Sequence, residues 1–330
     1  MYQPESYTVA LAFMLLTMIC WGSWANTMKL VKQFPFQLFY WDYVFGVVIG
    51  SLIWAFTLGS LMGGTSSFGA DLRQADQSHV VYGLVAGAVF NVANLLLVAA
   101  IDIAGLAVAF PVGIGLALIV GSLLNYILSP RGNPWLLFGG IVVVLLAIVL
   151  DAVAYKLREP DKHGITRKGI GISVASGILM GLFYPFVVKA SIGQHSLGPY
   201  AVAFVFSLGL AACSLFANYL LMQKPLAGGP PVRFADYFAA PTLWHFWGLL
   251  GGAIWCSGTV LNFVASRTNI VGPAVSYAIG QGATMVSAFW GVFVWKEFQG
   301  APRKSKTALA LMFLFFAFGL MAVACAPLFR

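Results

Sequence analysis

Long apolar stretches alternate with short polar ones along the whole chain, and ten of them contain few or no charged residues. A helix needs roughly 20 mostly apolar residues to cross about 30 Å of hydrocarbon, and it satisfies its backbone groups internally. The pattern therefore predicts an all-α integral membrane protein with ten transmembrane helices. The predicted helices are 7–28, 43–62, 80–101, 103–129, 135–150, 170–188, 197–222, 246–266, 270–295 and 308–329.

The composition excludes a water-soluble globular protein. Of the 330 residues, 60% are hydrophobic and only 8% are charged, so a domain of this size could not present a sufficiently polar surface to water. The first apolar stretch is preceded by Glu5 and by no Lys or Arg, which is unlike the basic leader of a cleavable signal peptide. We therefore expect this stretch to remain in the mature protein as the first helix.

The chain has a formal net charge of +8, and the positions of its Lys and Arg residues follow the predicted membrane topology. Lys and Arg lie between the apolar stretches and do not form the basic stripe that nucleic-acid-binding proteins carry. The segments after the odd-numbered helices hold 13 of the 18 Lys and Arg residues. Because such residues are retained on the cytoplasmic side, we expect a multi-pass protein of the cell membrane, inner or plasma, with both termini outside and the central loop in the cytoplasm.

The two halves of the chain share glycine patterns. Gly83 and Gly87 are four residues apart in the third predicted helix, and Gly248 and Gly252 have the same spacing in the eighth. This spacing lets helices approach closely in lipid. An odd number of helices per repeat inverts the second copy, and inverted repeats are typical of alternating-access transporters. The predicted units are a first five-helix repeat at 1–155, a cytoplasmic linker at 156–168 and a second, inverted five-helix repeat at 169–330.

Short segments in a fixed order along the chain carry a family resemblance. They are Met1-Tyr2 with Glu5-Ser6, Gly22-Ser23-Trp24, the segment 40–43 around Asp42, Asn94, Leu124-Asn125-Tyr126, Leu182-Phe183-Tyr184-Pro185 and Ser287-Ala288-Phe289-Trp290-Gly291. In this pattern the chain resembles the ten-helix drug/metabolite transporter (DMT) superfamily, and within it the plant ureide permeases. The resemblance implies proton-coupled import of allantoin and related cyclic ureides, including uracil-like pyrimidines.

One difference from the plant proteins and one alternative group of transporters limit what the resemblance implies. The plant proteins carry a long central loop with a Walker-type phosphate motif, whereas 156–168 is a short linker without a glycine-rich segment. Nucleotide binding is therefore not expected, and no cofactor is implied. Bacterial importers of glucose, ribose or rhamnose share the ten-helix architecture, so sugar import, or export of a metabolite or drug, is the alternative function.

Polar side chains within the spans are the candidates for solute binding, because each costs free energy in hydrocarbon unless it has a partner. Asn91 and Asn94 share one face of the third predicted helix, and Gln281 and Thr284 share a face of the ninth. Amides donate and accept hydrogen bonds, as the edge of a ureide or nucleobase requires. The alternative for the two asparagines is a hydrogen bond between helices. The glycines on either side of Gln281 are expected to leave room for a ligand.

Aromatic residues within the spans are candidates for the walls of a site for a planar solute. Trp24, Tyr184 and Trp255 lie away from the interfacial ends of their predicted helices. Stacking on a flat ring is favourable by about 0.5–1.5 kcal/mol beyond simple burial. The alternative is core packing or contact with lipid, because 15% of all residues are aromatic.

Asp42 is the charged residue that best suits proton coupling. If the second helix begins near position 35, a rise of about 1.5 Å per residue places Asp42 roughly 10 Å inside it. A partly desolvated carboxylate at that depth is suited to bind and release a proton during transport. The alternative is an ion pair with Lys29 or Lys32. Asp151 and Glu297 lie near predicted helix ends, and we interpret them as interface residues.

The remaining polar residues do not form the pattern of an enzyme or a metal site. The four histidines fall in predicted loops and at helix ends, without the spacing of metal ligands or a Ser or Cys partner. The four cysteines lie singly in apolar stretches and are interpreted as packing residues. A membrane-embedded enzyme or a receptor is therefore the weaker alternative to a secondary transporter. We expect a small solute, protons and lipid as partners, no nucleic acid, and a functional monomer.

Overall fold

The structure is a computed structural model that describes residues 1–31, 33–60, 67–158, 166–268 and 270–329. Within these residues it contains ten helices that are long and apolar enough to cross a membrane, and no β-strand. The prediction of an all-α membrane protein with ten transmembrane helices is confirmed. In chain order the helices are α1 (Tyr7–Lys29), α2 (Phe36–Phe56), α3 (Gln77–Ala104), α4 (Ala107–Leu128), α5 (Pro134–Arg158), α6 (Arg167–Ser191), α7 (Pro199–Gln223), α8 (Thr242–Ser266), α9 (Pro273–Val294) and α10 (Arg303–Leu328).

Several helices extend past the apolar stretches that predicted them. α2 begins at Phe36 instead of 43, α5 continues to Arg158 instead of 150, and α8 begins at Thr242 instead of 246. Long polar side chains at a helix end can reach the interface while their stems stay in apolar surroundings, so a helix does not stop where its apolar run stops. The extra turns place polar side chains inside these helices that the sequence pattern assigned to loops.

The predicted linker is largely helical where the structure describes it. α5 and α6 approach it from both sides and leave only Thr166 described between them. The Thr166 hydroxyl accepts a hydrogen bond from the backbone N–H of Gly169 and so caps the start of α6. Residues 159–165, the middle of the predicted linker 156–168, lie outside the described residues, as do residues 61–62 at the predicted end of the second helix.

The contacts between the two halves of the chain follow one pattern in both directions. α3 packs against α6 and α7, and α8 packs against α1 and α2. The turns before α4 and α9 also share one backbone conformation, because Gly105 has φ 76° and ψ 163° and Gly272 has φ 82° and ψ 163°. Glycine is favoured at both positions, since residues with a Cβ atom rarely adopt a positive φ. These likenesses support the predicted five-helix repeats, whose inverted relation stays a prediction.

Glycines let two pairs of helices cross at close range. A Cβ atom added to Gly87 of α3 would lie 2.0 Å from the Phe206 carbonyl oxygen of α7. One added to Gly252 of α8 would lie 2.0 Å from the Tyr43 carbonyl oxygen of α2. Backbone therefore meets backbone at both crossings, as small residues allow in membrane helices. The close approach that the glycine spacing predicted is confirmed.

Replacing Gly252 by Ala is expected to destabilise the protein by about 1–3 kcal/mol, because the added methyl group forces α2 and α8 apart. The measurement is the midpoint of thermal unfolding of the purified protein. Gly139→Ala is the matched control, because a Cβ atom on Gly139 of α5 meets no atom within 4 Å. Equal midpoints for the two variants would contradict the backbone contact.

The two ends of the bundle are distinguished by the segments that they hold. At the terminal side, the Tyr7 hydroxyl near the start of α1 donates to the Ala324 carbonyl near the end of α10, so both termini lie there. At the linker side, Arg158 at the end of α5 donates to the Glu297 carboxylate just after α9, with 3.3 Å between the two atoms. Each helix runs between these two sides.

Two of the ten helices are interrupted. α1 turns at Trp24–Ala25 and resumes as Asn26–Lys29, and α9 turns at Gln281–Gly282 before it continues. α9 then ends in a π-helical turn, Trp290–Val294. Interrupted helices in transporters mark solute sites, and π-helical turns are frequent at functional sites. The space between α1 and α9 is therefore the first place to search for a site.

Candidate solute site

A cavity of about 290 Å³ lies beside both interruptions. Ligand cavities commonly measure about 300–1,000 Å³, so this one suits a small solute. It runs from the middle of the bundle towards the linker side, since its walls include Trp255, midway along α8, and Asp102, near the end of α3. The other lining residues are Trp21, Gly22, Trp24, Ala25, Met28, Phe36, Phe90, Asn94, Leu97, Val98, Ile101, Phe110, Ile114, Met180, Phe183, Gln281, Ala283, Thr284 and Ser287.

Four uncharged polar side chains give this central cavity its hydrogen-bonding capacity. Gln281, which is 9% exposed, and Thr284, which is 6% exposed, lie at and just after the turn in α9, and Ser287 follows one turn later. Asn94 of α3 donates through Nδ2 to the Tyr40 hydroxyl at 3.3 Å. Among the described residues, the side chains of Gln281, Thr284 and Ser287 make no hydrogen bond. The Asn94 Oδ1 accepts none either. These groups are available to a solute.

Aromatic rings form much of the apolar wall. Trp255 packs against Phe90 with ring centroids 4.5 Å apart. It also packs against Trp21 with ring centroids 6.2 Å apart and ring planes 13° apart. The Trp21 indole N–H donates to the Thr259 hydroxyl at 3.0 Å, which fixes the orientation of that ring. Trp24 joins the wall from the interruption in α1. A planar solute would therefore meet rings already held in place by their neighbours.

Five of the seven side chains predicted to contact solute line this one cavity. They are Trp24, Asn94, Trp255, Gln281 and Thr284. They come from four different helices, so the packing of α1, α3, α8 and α9 brings together side chains that are far apart in the sequence. The arrangement offers donors and acceptors at one edge and indole faces beside them.

Asn91 and Tyr184, the other two predicted solute contacts, are fully buried and do not line the cavity. The Asn91 Oδ1 accepts from the hydroxyls of Tyr40 and Ser214, each at 2.9 Å. The Tyr184 hydroxyl donates to the Asn262 Oδ1 at 2.5 Å. Both side chains form bonds between helices, which for Asn91 is the alternative that the sequence left open.

The space beside Gly280 and Gly282 is filled, which corrects the expectation that these glycines leave room for a ligand. A Cβ atom on Gly280 would lie 2.6 Å from the Trp21 ring, and one on Gly282 would lie 2.6 Å from the Met18 sulfur. The two glycines instead let α9 pack closely against α1. Gln281 therefore projects into the cavity from a tightly packed turn.

Asp42 lies outside the cavity wall, in a polar cluster at the linker side. α2 begins at Phe36, so the predicted depth of Asp42 in its helix is confirmed. Asp42 is 3% exposed, its Oδ1 accepts from the Tyr237 hydroxyl at 2.6 Å, and its Oδ2 lies 2.8 Å from the His245 Nδ1. Burial, together with the Asp42 carboxylate, raises the pKa of Tyr237, so the phenol remains a donor.

Lys29 does not pair with Asp42, so the Lys29 part of that alternative is wrong. Lys29 pairs instead with Glu297, with 2.5 Å between the two atoms, and Glu297 also pairs with Arg158 at 3.3 Å. Lys32, the other candidate partner, lies outside the described residues. Burial alone would raise the pKa of Glu297, but the hydrogen bond and charge of Lys29 hold it below its ordinary value. Glu297 thus joins the ends of α1, α5 and α9 at the linker side.

Asp151 is a buried residue, which corrects its interpretation as an interface residue. It is 5% exposed on α5, and its Oδ1 has no hydrogen-bond partner in the part of the chain that the structure describes. The apolar stretch ends at 150, but α5 continues for two more turns to Arg158. Asp151 is therefore the second buried carboxyl group near the linker side, after Asp42.

Sequence reasoning missed two residues that the structure places in functional positions. Asp102 lines the central cavity near the end of α3, and its signal was available, because it is the residue that separates the third and fourth apolar stretches. His245 gives no local signal, since its partner Asp42 is 203 residues away. Among the described residues, no group of three or more His, Cys, Asp or Glu side chains is placed to hold a metal ion.

Comparison with known proteins identifies the family of the chain. The sequence pattern that defines the ureide permease family matches residues 39–168 and 161–326, which is most of the chain. Ureide permease 1 of Arabidopsis thaliana is 26% identical, and the match covers 96% of each protein. Ureide permease 2 of the same plant is 24% identical, again over 96% of each protein.

Two more matches extend the comparison. Transmembrane protein 144 homolog B of Dictyostelium discoideum is 27% identical over 51% of this chain and 43% of its own length. A crystal structure described only as that of a protein superposes with a TM-score of 0.66 at 16% identity, covering 96% of this chain and 98% of the other, so the two share a fold. With ten membrane-length helices among its described residues and permeases as relatives over 96% of its length, this protein is a membrane transporter and not an enzyme, and it belongs to the ureide permease family.

Proposed function

We propose that this protein imports a small polar solute of ureide or nucleobase type, coupled to protons, by alternating access. The observation that carries the proposal is the central cavity, in which the side chains of Gln281, Thr284 and Ser287, without hydrogen-bond partners among the described residues, line a space that tryptophan rings also line. Membership of the ureide permease family supports the solute class. The predicted inverted repeats, 1–155 and 169–330, supply the symmetry on which alternating access depends.

The chemistry of the cavity complements a planar ring that carries adjacent N–H and C=O groups. The Gln281 amide offers one donor edge and one acceptor edge, and the Asn94 Oδ1 offers a further acceptor. Trp24 and Trp255 supply ring faces on which such a solute could stack, at about 0.5–1.5 kcal/mol beyond burial. A sugar needs many hydroxyl-binding carboxylates and amides, and this lining contains one carboxylate, Asp102, and two amides.

Asp42 is proposed as the proton-coupling residue, with His245 as its partner. α2 carries Asp42, Tyr40 and Phe36, and Phe36 lines the central cavity. Tyr40 accepts a hydrogen bond from Asn94 at 3.3 Å. A shift of α2 when Asp42 gains or loses a proton would therefore reach the cavity through contacts already in place. Coupling requires that protonation of Asp42 changes the contacts made at the cavity, and this chain of contacts would provide that link.

The proposed orientation places the linker side in the cytoplasm and both termini outside, in the cell membrane. The linker-side segments hold 13 of the 18 Lys and Arg residues, which are retained on the cytoplasmic side. In that orientation the central cavity extends towards the cytoplasm. The two halves enclose the path within one chain, so the proposed functional unit is a monomer.

The solute class is tested by thermal stabilisation, because selective binding to the folded state raises the unfolding midpoint. The purified protein is heated with allantoin, uracil, xanthine, glucose, ribose or rhamnose, one at a time. We expect allantoin or uracil to raise the midpoint by a few degrees and the three sugars to leave it unchanged, at ligand concentrations of about 100 times the dissociation constant. A rise with a sugar alone would replace the ureide class by the sugar alternative.

A further inference from the structure

A second cavity, of about 270 Å³, lies at the terminal side of the bundle, opposite to the central one. This vestibule is formed by the ends of α4, α6 and α8 and the start of α9. Its polar lining consists of Arg131, Arg267 and the hydroxyls of Ser129, Ser191, Ser196 and Ser266. The described lining residues include two arginines and no carboxylate.

The vestibule and the central cavity lie along the same helices, α4, α6, α8 and α9. Three of them show the order clearly, because each has residues in the central cavity and, nearer the terminal side, residues in the vestibule. Examples are Phe183 and Val187 on α6, Trp255 on α8 with Arg267 directly after that helix, and Gln281 and Pro273 on α9. A solute that crosses the protein between these helices would pass through both.

A layer of fully buried side chains separates the two cavities. It consists of Tyr184 on α6, Asn262 on α8 and Tyr277 on α9. The Asn262 Oδ1 accepts from the Tyr184 hydroxyl at 2.5 Å, and its Nδ2 donates to the Ser276 carbonyl at 2.9 Å. The Tyr277 hydroxyl is 3.1 Å from the Ala117 carbonyl oxygen. In this conformation the path is closed between the vestibule and the centre.

Arg267 is a partly buried cation whose protein partners are neutral. Its guanidinium donates to the Leu197 carbonyl and to the Ser196 hydroxyl, the latter at 3.5 Å. In the described part of the chain no carboxylate lies within 4.0 Å of it. Burial lowers the pKa of Arg267, and the more distant charge of Asp71 offsets part of that change. A desolvated charge without a paired opposite charge is unfavourable, so this site is disposed to take an anion.

One peptide group connects Arg267 to Asp71 and marks what an anion would displace. The Leu197 carbonyl accepts from Arg267, and the N–H of Gly198, in the same peptide group, donates to Asp71 at 2.7 Å. This peptide group lies just before α7. A carboxylate at Arg267 would compete with a neutral carbonyl, and it adds an attraction between opposite charges that the carbonyl lacks.

We propose that the vestibule is a second ligand site, which binds a planar compound by a carboxylate group at Arg267. The planar fork of a guanidinium matches a carboxylate with two parallel hydrogen bonds. The ligand would not pass on to the centre in this conformation, because the buried layer of Tyr184, Asn262 and Tyr277 closes the way. A carboxylate-bearing relative of the solute would therefore occupy the path at the terminal side. The planar shape of the ligand rests on the proposed function, whereas the anion site rests on Arg267 alone.

The test uses two probes that share one ring, uracil and uracil-6-carboxylate. Their dissociation constants are measured by calorimetric titration of the purified full-length protein. We expect Arg267→Gln to weaken binding of uracil-6-carboxylate about tenfold or more and to leave uracil binding within about twofold. Gln281→Ala is expected to do the reverse, because Gln281 lies in the central cavity. Lys189→Gln is the matched control, since Lys189 is an exposed cation on α6 that does not line the vestibule.

The two proposals fail separately in this experiment. If the wild-type protein does not bind uracil-6-carboxylate, or binds it equally well after Arg267→Gln, the vestibule site is wrong whatever uracil does. If uracil does not bind while the carboxylate binds through Arg267, the proposed solute class is wrong and the anion site stands. Arg267→Lys guards against loss of folding, because it keeps the charge and loses the planar fork, and a several-fold weaker carboxylate affinity is then expected.

Discussion

Replacing Gln281 by Ala is expected to lower solute uptake by about 10- to 100-fold while the protein still folds. Gln281 lies at the turn of α9, lines the central cavity and has no described protein partner for its amide, so its removal breaks no bond within the protein. A site built to hydrogen-bond a solute loses about 1–3 kcal/mol when one partner is removed. The solute N–H and C=O groups would be left without partners in a desolvated cavity, which penalises the bound state.

The measurement is uptake of radiolabelled allantoin or uracil into vesicles that contain the purified protein. Gln223→Ala is the matched control, because Gln223 is an exposed glutamine at the end of α7 that does not line the cavity. The unfolding midpoint of each variant without solute separates loss of binding from loss of folding. Unchanged uptake by Gln281→Ala, with a normal amount of folded protein, would show that Gln281 does not bind the solute. It would also contradict the proposal that the central cavity is the solute site.

The ten helices could be predicted from the sequence because lipid constrains a membrane protein more strongly than water constrains a soluble one. Every backbone group in the hydrocarbon must be satisfied, so a spanning segment is a long apolar helix and can be recognised without any tertiary contact. The ends could not be predicted in the same way. α5 continues past Asp151 to Arg158, where Asp151 is buried between helices and Arg158 pairs with Glu297. A local sequence pattern does not reveal such long-range contacts.

The candidate site was predictable only in part, for a related reason. A polar residue in a span needs a partner, but the sequence does not say whether that partner is a solute or another helix. Gln281 and Asn94 face the cavity, whereas Asn91, one turn before Asn94, meets Ser214 of α7. The difference depends on which helix packs on each face of α3. Tyr184 likewise belongs to the closed layer between the two cavities because Asn262 of α8 lies beside it.

Long-range pairs mark the limit of sequence reasoning for charged groups. Asp42 could be recognised as a carboxylate inside a helix, but its partners His245 and Tyr237 lie on α8 and in the segment before it. Arg267 follows an apolar stretch, as many snorkelling arginines do, and only the fold reveals that it lines a cavity. The surroundings of both residues are formed by helices whose packing partners cannot be predicted from the hydrophobic pattern.

Replacing Asp42 by Asn is expected to abolish accumulation of solute driven by a pH gradient. The Asn carbonyl can still accept from the Tyr237 hydroxyl, so the shape of the cluster is kept, but an amide cannot bind and release a proton. The coupling step requires that the two protonation states of one group differ in their contacts. Exchange of labelled for unlabelled solute, which needs no net proton movement, is expected to continue at a rate within about threefold of that of the original protein, since Asp42 does not line the central cavity.

Accumulation and exchange are measured on the same vesicles, with a pH gradient and without one. Asp236→Asn is the matched control, because Asp236 is an exposed carboxylate next to Tyr237 in the same segment. If Asp42→Asn still accumulates solute under the pH gradient, Asp42 is not the coupling residue, and Asp151, the other buried carboxyl group near the linker side, becomes the group to replace. Loss of exchange together with accumulation would instead assign Asp42 a structural role, because a pure coupling residue affects only the step that moves protons.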